Sequence, residues 1–82
     1  MLPVPDSSRL THIGFQPPEQ DALTGALWVR FTDGTTGYYD NVPLDTFAQM
    51  KLSSSKGQFL SEQVIRAGYP FTKAPLPDQT NA

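Results

Sequence analysis

The dipeptide Asp33-Gly34 lies between two β-patterned runs and constrains this chain more than any other feature. Before it stands ALWVRF, Ala26–Phe31; after it stands TTGYY, Thr35–Tyr39. Asp-Gly suits a hairpin because glycine accepts a positive φ without steric cost. The two runs are therefore antiparallel neighbours. In the first, Leu27, Val29 and Phe31 share one face, and Ala26, Trp28 and Arg30 share the other. The register across the turn has two solutions. A two-residue turn sets Val29 opposite Tyr38 and Trp28 opposite Tyr39. A type I turn with a G1 bulge sets Leu27 opposite Tyr39 and Trp28 opposite Tyr38. One residue of slip exchanges the tyrosines between faces. In both solutions one tyrosine stands beside Trp28 and Arg30 on the second face.

The flanking sequence builds outward from this hairpin. SSRLTHIGF alternates Ile13 and Phe15 on one side and predicts a strand over Arg9–Phe15. QPPEQDALTG reads as a loop. NVPLDTFAQMKL has a proline suited to a first helical turn, with Asp45 early and Lys51 late, which favours the helix dipole. It predicts a helix over Pro43–Leu52. Ser55 and Gln58 have capping-box spacing, and a second helix is expected over Lys56–Ala67 with Gly68 just past its end. The expected fold is α+β: a three-stranded antiparallel sheet followed by a two-helix hairpin packed on one face, β-β-β-α-α. The expected core is Ile13, Phe15, Leu27, Val29, Phe31, one tyrosine, Leu44, Phe47, Leu52, Phe59, Val64 and Tyr69. The ends are proline-rich or polar without periodicity. Residues 1–6 are expected to be a flexible N-terminus, 7–73 the domain, and 74–82 a flexible tail.

Composition narrows the functional classes. With 82 residues the chain makes one domain, and with no cysteine it has neither disulfide nor thiolate chemistry. A structural zinc site is not expected, since His12 is the single histidine. No apolar run approaches the ~20 residues needed to span a bilayer, and the first residues lack signal-peptide regions. A soluble, cytoplasmic protein is expected. The net charge of −2 argues against a domain devoted to nucleic acid. It is unevenly spread, −4 over residues 1–46 and +3 over residues 47–77.

No catalytic constellation stands out. There is no P-loop and no dinucleotide-binding glycine pattern. His12 alone titrates near neutrality in its unperturbed state, and alternation puts it on the face opposite Ile13. Asp40 and Asp45 read as turn and helix-start residues. The SSSKG stretch could hold an anion at a helix start, but capping accounts for it. The second sheet face is more informative. Trp28, Arg30 and one of Tyr38 or Tyr39 form an aromatic–cationic patch of the kind on which bases stack while cations track phosphates. The alternative is that a terminal segment folds over this face and Trp28 is only packing.

The ordered set of motifs carries a likeness. Ser7 and Ser8; Leu27, Val29, Phe31, Asp33 and Gly34; Tyr39; Val42 and Pro43; Ser55, Gly57 and Phe59; and Ile65 and Tyr69 together resemble the KTSC domain. That short bacterial domain is seen alone and at the C-terminus of some lysyl-tRNA synthetases. There are two departures. The family pattern has tyrosines at the positions of residues 37 and 39, where this chain has Gly37 and Tyr39. The spacing from Phe59 to Ile65 is one residue longer than the pattern. The resemblance implies RNA, tRNA or single-stranded, as a partner class, by analogy with the synthetase association.

These observations converge on a small non-enzymatic binding module without cofactor or metal. Its expected ligand-binding residues are Trp28, Arg30, Tyr38 and Tyr39, with Lys51, Lys56 and Arg66 as auxiliary phosphate contacts. A protein–protein module using the same Trp28/Tyr patch is the alternative, and a small hydrolase around His12 is a third.

Overall fold

In the computed structural model, which describes residues 2–4, 8–19 and 21–75, the hairpin takes the bulged solution. Gly34 has φ +93°, its N–H donates to the Phe31 carbonyl at 3.0 Å, and Phe31 N–H donates to Thr35 O at 2.8 Å. The Asp33 carboxylate accepts from Thr35 N–H at 2.8 Å, and these backbone and hydroxyl donors of Thr35 hold its pKa below the usual 3.8. Leu27 thus opposes Tyr39 and Trp28 opposes Tyr38. Tyr39 enters the core and Tyr38 joins the second face.

The fold is α+β as expected, but the sheet has five antiparallel strands rather than three, in sequence order. They are β1 (Leu2–Pro3), β2 (Leu10–Gln16), β3 (Thr24–Phe31), β4 (Thr36–Pro43) and β5 (Phe71–Lys73). The helices are α1 (Leu44–Leu52) and α2 (Lys56–Leu60), the latter running on as a π-helical turn, Ser61–Ile65. The two added strands are edges too short to show periodicity. β1 pairs Leu2 with Ile13, and Val4 just after it is in the core at 5% exposure, so residues 2–4 of the segment expected as a flexible N-terminus pack on the sheet. β5 pairs Phe71 with Tyr39 and Lys73 with Gly37. Ala74, expected in the tail, is held by its N–H to Thr36 O at 3.1 Å and its carbonyl to Thr36 Oγ1 at 2.6 Å. Residues 76–82 of the expected tail lie outside the described residues, as do residues 5–7.

Both helices cover the face of Leu27 and Val29. The core joins Val4, Leu10, Ile13, Leu27, Val29, Tyr39, Val42, Phe47, Met50, Leu60 and Val64, with Phe15, Phe31, Phe59 and Tyr69 packed against it. Leu44 and Leu52, expected inside, are 46% and 87% exposed. Phe47 and Met50 share the buried stripe of α1 at helical spacing, and the two leucines sit at its ends where the chain leaves the sheet. The expected capping box does not form. Ser55 makes no side-chain cap bond, Ser53 Oγ accepts its N–H at 3.2 Å, and Gln58 donates to Glu62 Oε2 at 3.0 Å. The Ser53 hydroxyl thus takes the Ser55 N–H that the Gln58 side chain is expected to accept. Gly68 closes the second helix at φ +91°, as expected.

Two glycines allow the chain to come unusually close to itself. At Gly37 a Cβ would collide with the Thr72 carbonyl and the Phe71 ring, so Phe71 lies where a side chain at 37 would stand. Phe71 also packs on Tyr39 at 4.9 Å between ring centroids and on Phe31 at 6.2 Å. At Gly25 a Cβ would come within 2.7 Å of Gln16 O and Pro17 Cα. Both neighbours are backbone and cannot step aside. Gly25→Ala should therefore cost about 1–3 kcal/mol of stability, measured as a lower urea midpoint at unchanged slope. Burial of Tyr39 pushes its phenol above the ordinary 10.0. Its contribution to stability is complete below that value and is lost as pH rises through the folded-state pKa. Absorbance of tyrosinate should show one late-ionising group that disappears in Tyr39→Phe, and alkaline unfolding of the wild type should accompany that late step.

Candidate functional site: the helix-free face of the sheet

Alternation along the strands decides which side chains meet on the face away from the helices. From β2 come His12, Gly14 and Gln16; from β3, Ala26, Trp28 and Arg30; from β4, Thr36 and Tyr38; from β5, Thr72. Among the described residues no helix or further strand lies over this face. Trp28 is in its middle, between Tyr38 and Gly14, which has no side chain to compete for the space. The Trp28 and Tyr38 rings are 4.8 Å apart and tilted by 45°. The indole N–H donates to Gln16 Oε1 at 3.0 Å. These contacts leave Trp28 only 8% exposed while Tyr38 stays half-buried. Trp28 is thus a floor for the patch and Tyr38 its accessible ring.

Arg30 is exposed two residues from Trp28 on β3 and is paired across strands with His12 and Thr36. His12 Nδ1 meets Thr11 Oγ1 at 3.0 Å, and that hydroxyl donates to Arg30 O at 3.3 Å. No group of three or more metal-ligating side chains gathers among the described residues.

The expected ligand residues separate into two sets. Trp28, Arg30 and Tyr38 come together on the open face. Tyr39 is in the core on the other side of the sheet. Lys51, Lys56 and Arg66 belong to the helical layer, also on that other side. Lys51 Nζ rides over the Phe47 ring at 5.1 Å, Lys56 Nζ donates to Ser53 O at 3.1 Å, and Arg66 ends the π-helical turn. Sequence spacing could not show this, because the side of a helix hairpin relative to a strand face is set by packing.

Two features escape sequence reasoning. The first is a cleft of about 320 Å³ where Gln16 leads into the β2–β3 loop, lined by Gln16, Pro17, Pro18, Ala26, Asp40 and Asn41 among others. It exists because β4 continues through Asp40 and Asn41 as a strand with a bulge, Asn41 at φ 60°, rather than turning there. Asparagine is among the few non-glycine residues that take up this conformation readily. The second is the charge layout. Arg9, Arg30 and Lys73 lie toward the β3–β4 turn, which also holds Asp33, and Glu19, Asp21, Asp40 and Asp45 lie toward the opposite end. Residues 10–29 and 37–50 contain no lysine or arginine, which is visible in the sequence once the strands are paired.

The Gln16 bond to Trp28 is testable by itself. Gln16→Ala leaves an almost buried indole N–H without its acceptor and should cost about 1–3 kcal/mol, whereas Gln16→Glu keeps an acceptor and most of the stability. Urea denaturation followed by Trp28 fluorescence measures both.

Comparison with known proteins adds one positive finding. A family model described as the KTSC domain matches residues 6–69. A search of curated proteins returns no match. The matched segment holds β2, β3, β4 and both helices, while β1 and β5 lie outside it. Both departures from the family pattern have a structural counterpart. The Phe71 ring fills the space at Gly37 where the pattern has a tyrosine. The extra residue between Phe59 and Ile65 falls in the π-helical turn, where Arg66 N–H reaches back five residues to Ser61 O at 3.1 Å. A π turn holds one residue more than an α turn and returns the helix to phase. The match covers most of the chain and its order is the order of the motifs, so this protein belongs to the KTSC domain family.

Proposed function

We propose that the protein is a non-enzymatic module that binds single-stranded RNA on the helix-free face of its sheet. The observation that carries this reading is the Trp28–Tyr38 pair, 4.8 Å apart on a face over which no helix or further strand lies among the described residues, with Arg30 beside it. Tyr38 supplies the stacking ring, Trp28 supports it from below, and Arg30 with His12 meets the phosphate backbone. The family's synthetase association supports the same ligand class. The cations of the helical layer are not part of this surface.

A second reading is a protein partner on the same face, favoured by the net charge of −2. Salt dependence separates the two. Binding of a hexauridylate (U6), followed by Trp28 fluorescence and by ¹H–¹⁵N shifts, should weaken steeply from low to physiological salt. Tyr38→Ala should weaken it by about tenfold or more, and Arg30→Ala should lower the salt slope by about 0.7. No binding at low salt, or binding indifferent to Tyr38→Ala, would move the assignment to a protein partner.

A further inference from the structure

The cleft at the end of the open face has features the stacking platform does not use. Ala26 precedes Trp28 by two residues on β3, and Asp40 follows Tyr38 by two on β4, so the cleft begins ~7 Å along the strands from the aromatic pair. That is one nucleotide step of an extended strand. Its floor is small side chain and backbone, Ala26 and Gly25, and its walls are Pro17 and Pro18 on one side and Asp40 and Asn41 on the other. A volume of about 320 Å³ has room for one base.

The polar groups on its rim are Gln16, Thr24, Asp40 and Asn41, of which the Asp40 carboxylate alone only accepts. Gln16 Oε1 accepts from the Trp28 indole, so the Gln16 amide still offers both N–H₂ donors and one remaining acceptor lone pair. Asp40 is exposed and offers two acceptor oxygens. A base that meets the carboxylate and the amide donors must present adjacent donors to the one and an acceptor to the other. Guanine does so, with N1–H and N2–H side by side and O6 next to them. Adenine and cytosine pair their amino group with an adjacent acceptor, and uracil has one N–H between two carbonyls, which a carboxylate repels. The same carboxylate also repels phosphate. With Arg30 and His12 at the other end of the face, this polarity favours the backbone there and a base edge here.

We propose that this cleft is a guanine subsite of the RNA-binding face, next to the base stacked on Tyr38; the inference rests on RNA being the ligand of that face. Asp40 accepts from the guanine N1–H and N2–H, and Gln16 donates to O6. Asp40 is held in place through its backbone, whose N–H donates to Pro70 O at 3.2 Å, so its side chain can be changed without loss of that bond.

The test uses the whole chain at low salt with three probes: U6, the same hexamer with one central guanosine, and a hexa-arginine peptide. Binding is followed by Trp28 fluorescence and by the amide signals of Gln16, Ala26 and Asn41. The guanosine should tighten binding about tenfold, the gain expected of one bidentate base contact, and should move the cleft signals that U6 leaves in place. Asp40→Ala should abolish the guanosine gain and bind U6 somewhat more tightly, since a charge that repels phosphate is gone. If U6 binds through Tyr38 and the guanosine adds nothing, the subsite is wrong and the platform stands. If neither RNA binds, both are wrong. If the arginine peptide alone moves the cleft signals, the cleft is a site for a basic protein segment and the guanine assignment falls.

Discussion

The backbone conformation of Gly34 decides how both faces of the sheet are composed. A positive φ there closes a bulged turn, and the bulge fixes β3 against β4 with Leu27 opposite Tyr39. Side chains alternate along a strand, so this one choice sorts every residue of β4 between faces. It sends Tyr39 under the helices, sets Tyr38 against Trp28, and leaves Gly37 facing the core side where Phe71 can lie over it. With the other register, Tyr38 would be buried beside Val29 and the open face would have Tyr39 instead. The hydrogen bond from Thr35 N–H to the Asp33 carboxylate supports the same turn, and Asp33 thereby links local turn chemistry to the composition of both faces.

Much of the central fold is legible in the sequence for this reason. The β-patterned runs around Asp33-Gly34, the alternation of Ile13 and Phe15, and the helical spacing of Phe47, Phe59 and Val64 are local signals, and each predicts an element that forms. The misses share a different cause. β1 and β5 have two and three residues and are strands only because an edge was available to them. Ser55 has the spacing of a cap, but its N–H goes to the Ser53 hydroxyl. Leu52 has the right character for a core residue and lies at a helix end that leaves the core. The candidate site was half legible. Trp28, Arg30 and Tyr38 follow from strand alternation plus the register. Lys51, Lys56 and Arg66 required knowledge of which face the helices cover, and nothing local to those residues encodes it.

The open face also shows how an acidic chain can present a surface with direction. On this face Arg30 lies toward the β3–β4 turn and Asp40 toward the β2–β3 loop, with the aromatic pair between them. Net charge averages over this arrangement and hides it. A ligand meeting the face encounters a gradient, not a uniformly acidic wall.

The position of Phe71 bears on where this domain begins and ends as a physical object. The segment that carries the family likeness stops at residue 69, yet the ring that fills the gap above Gly37 comes from beyond it. On the opposite side, Val4 reaches the core from before residue 6. The unit of sequence kinship is therefore smaller than the unit of folding. A piece cut at 6–69 would keep every family motif while baring the hydrogen-bonding rims of both β2 and β4 and opening a notch over Gly37. Such rims recruit other strands, and the excised piece would bare more of them than the chain that keeps β1 and β5.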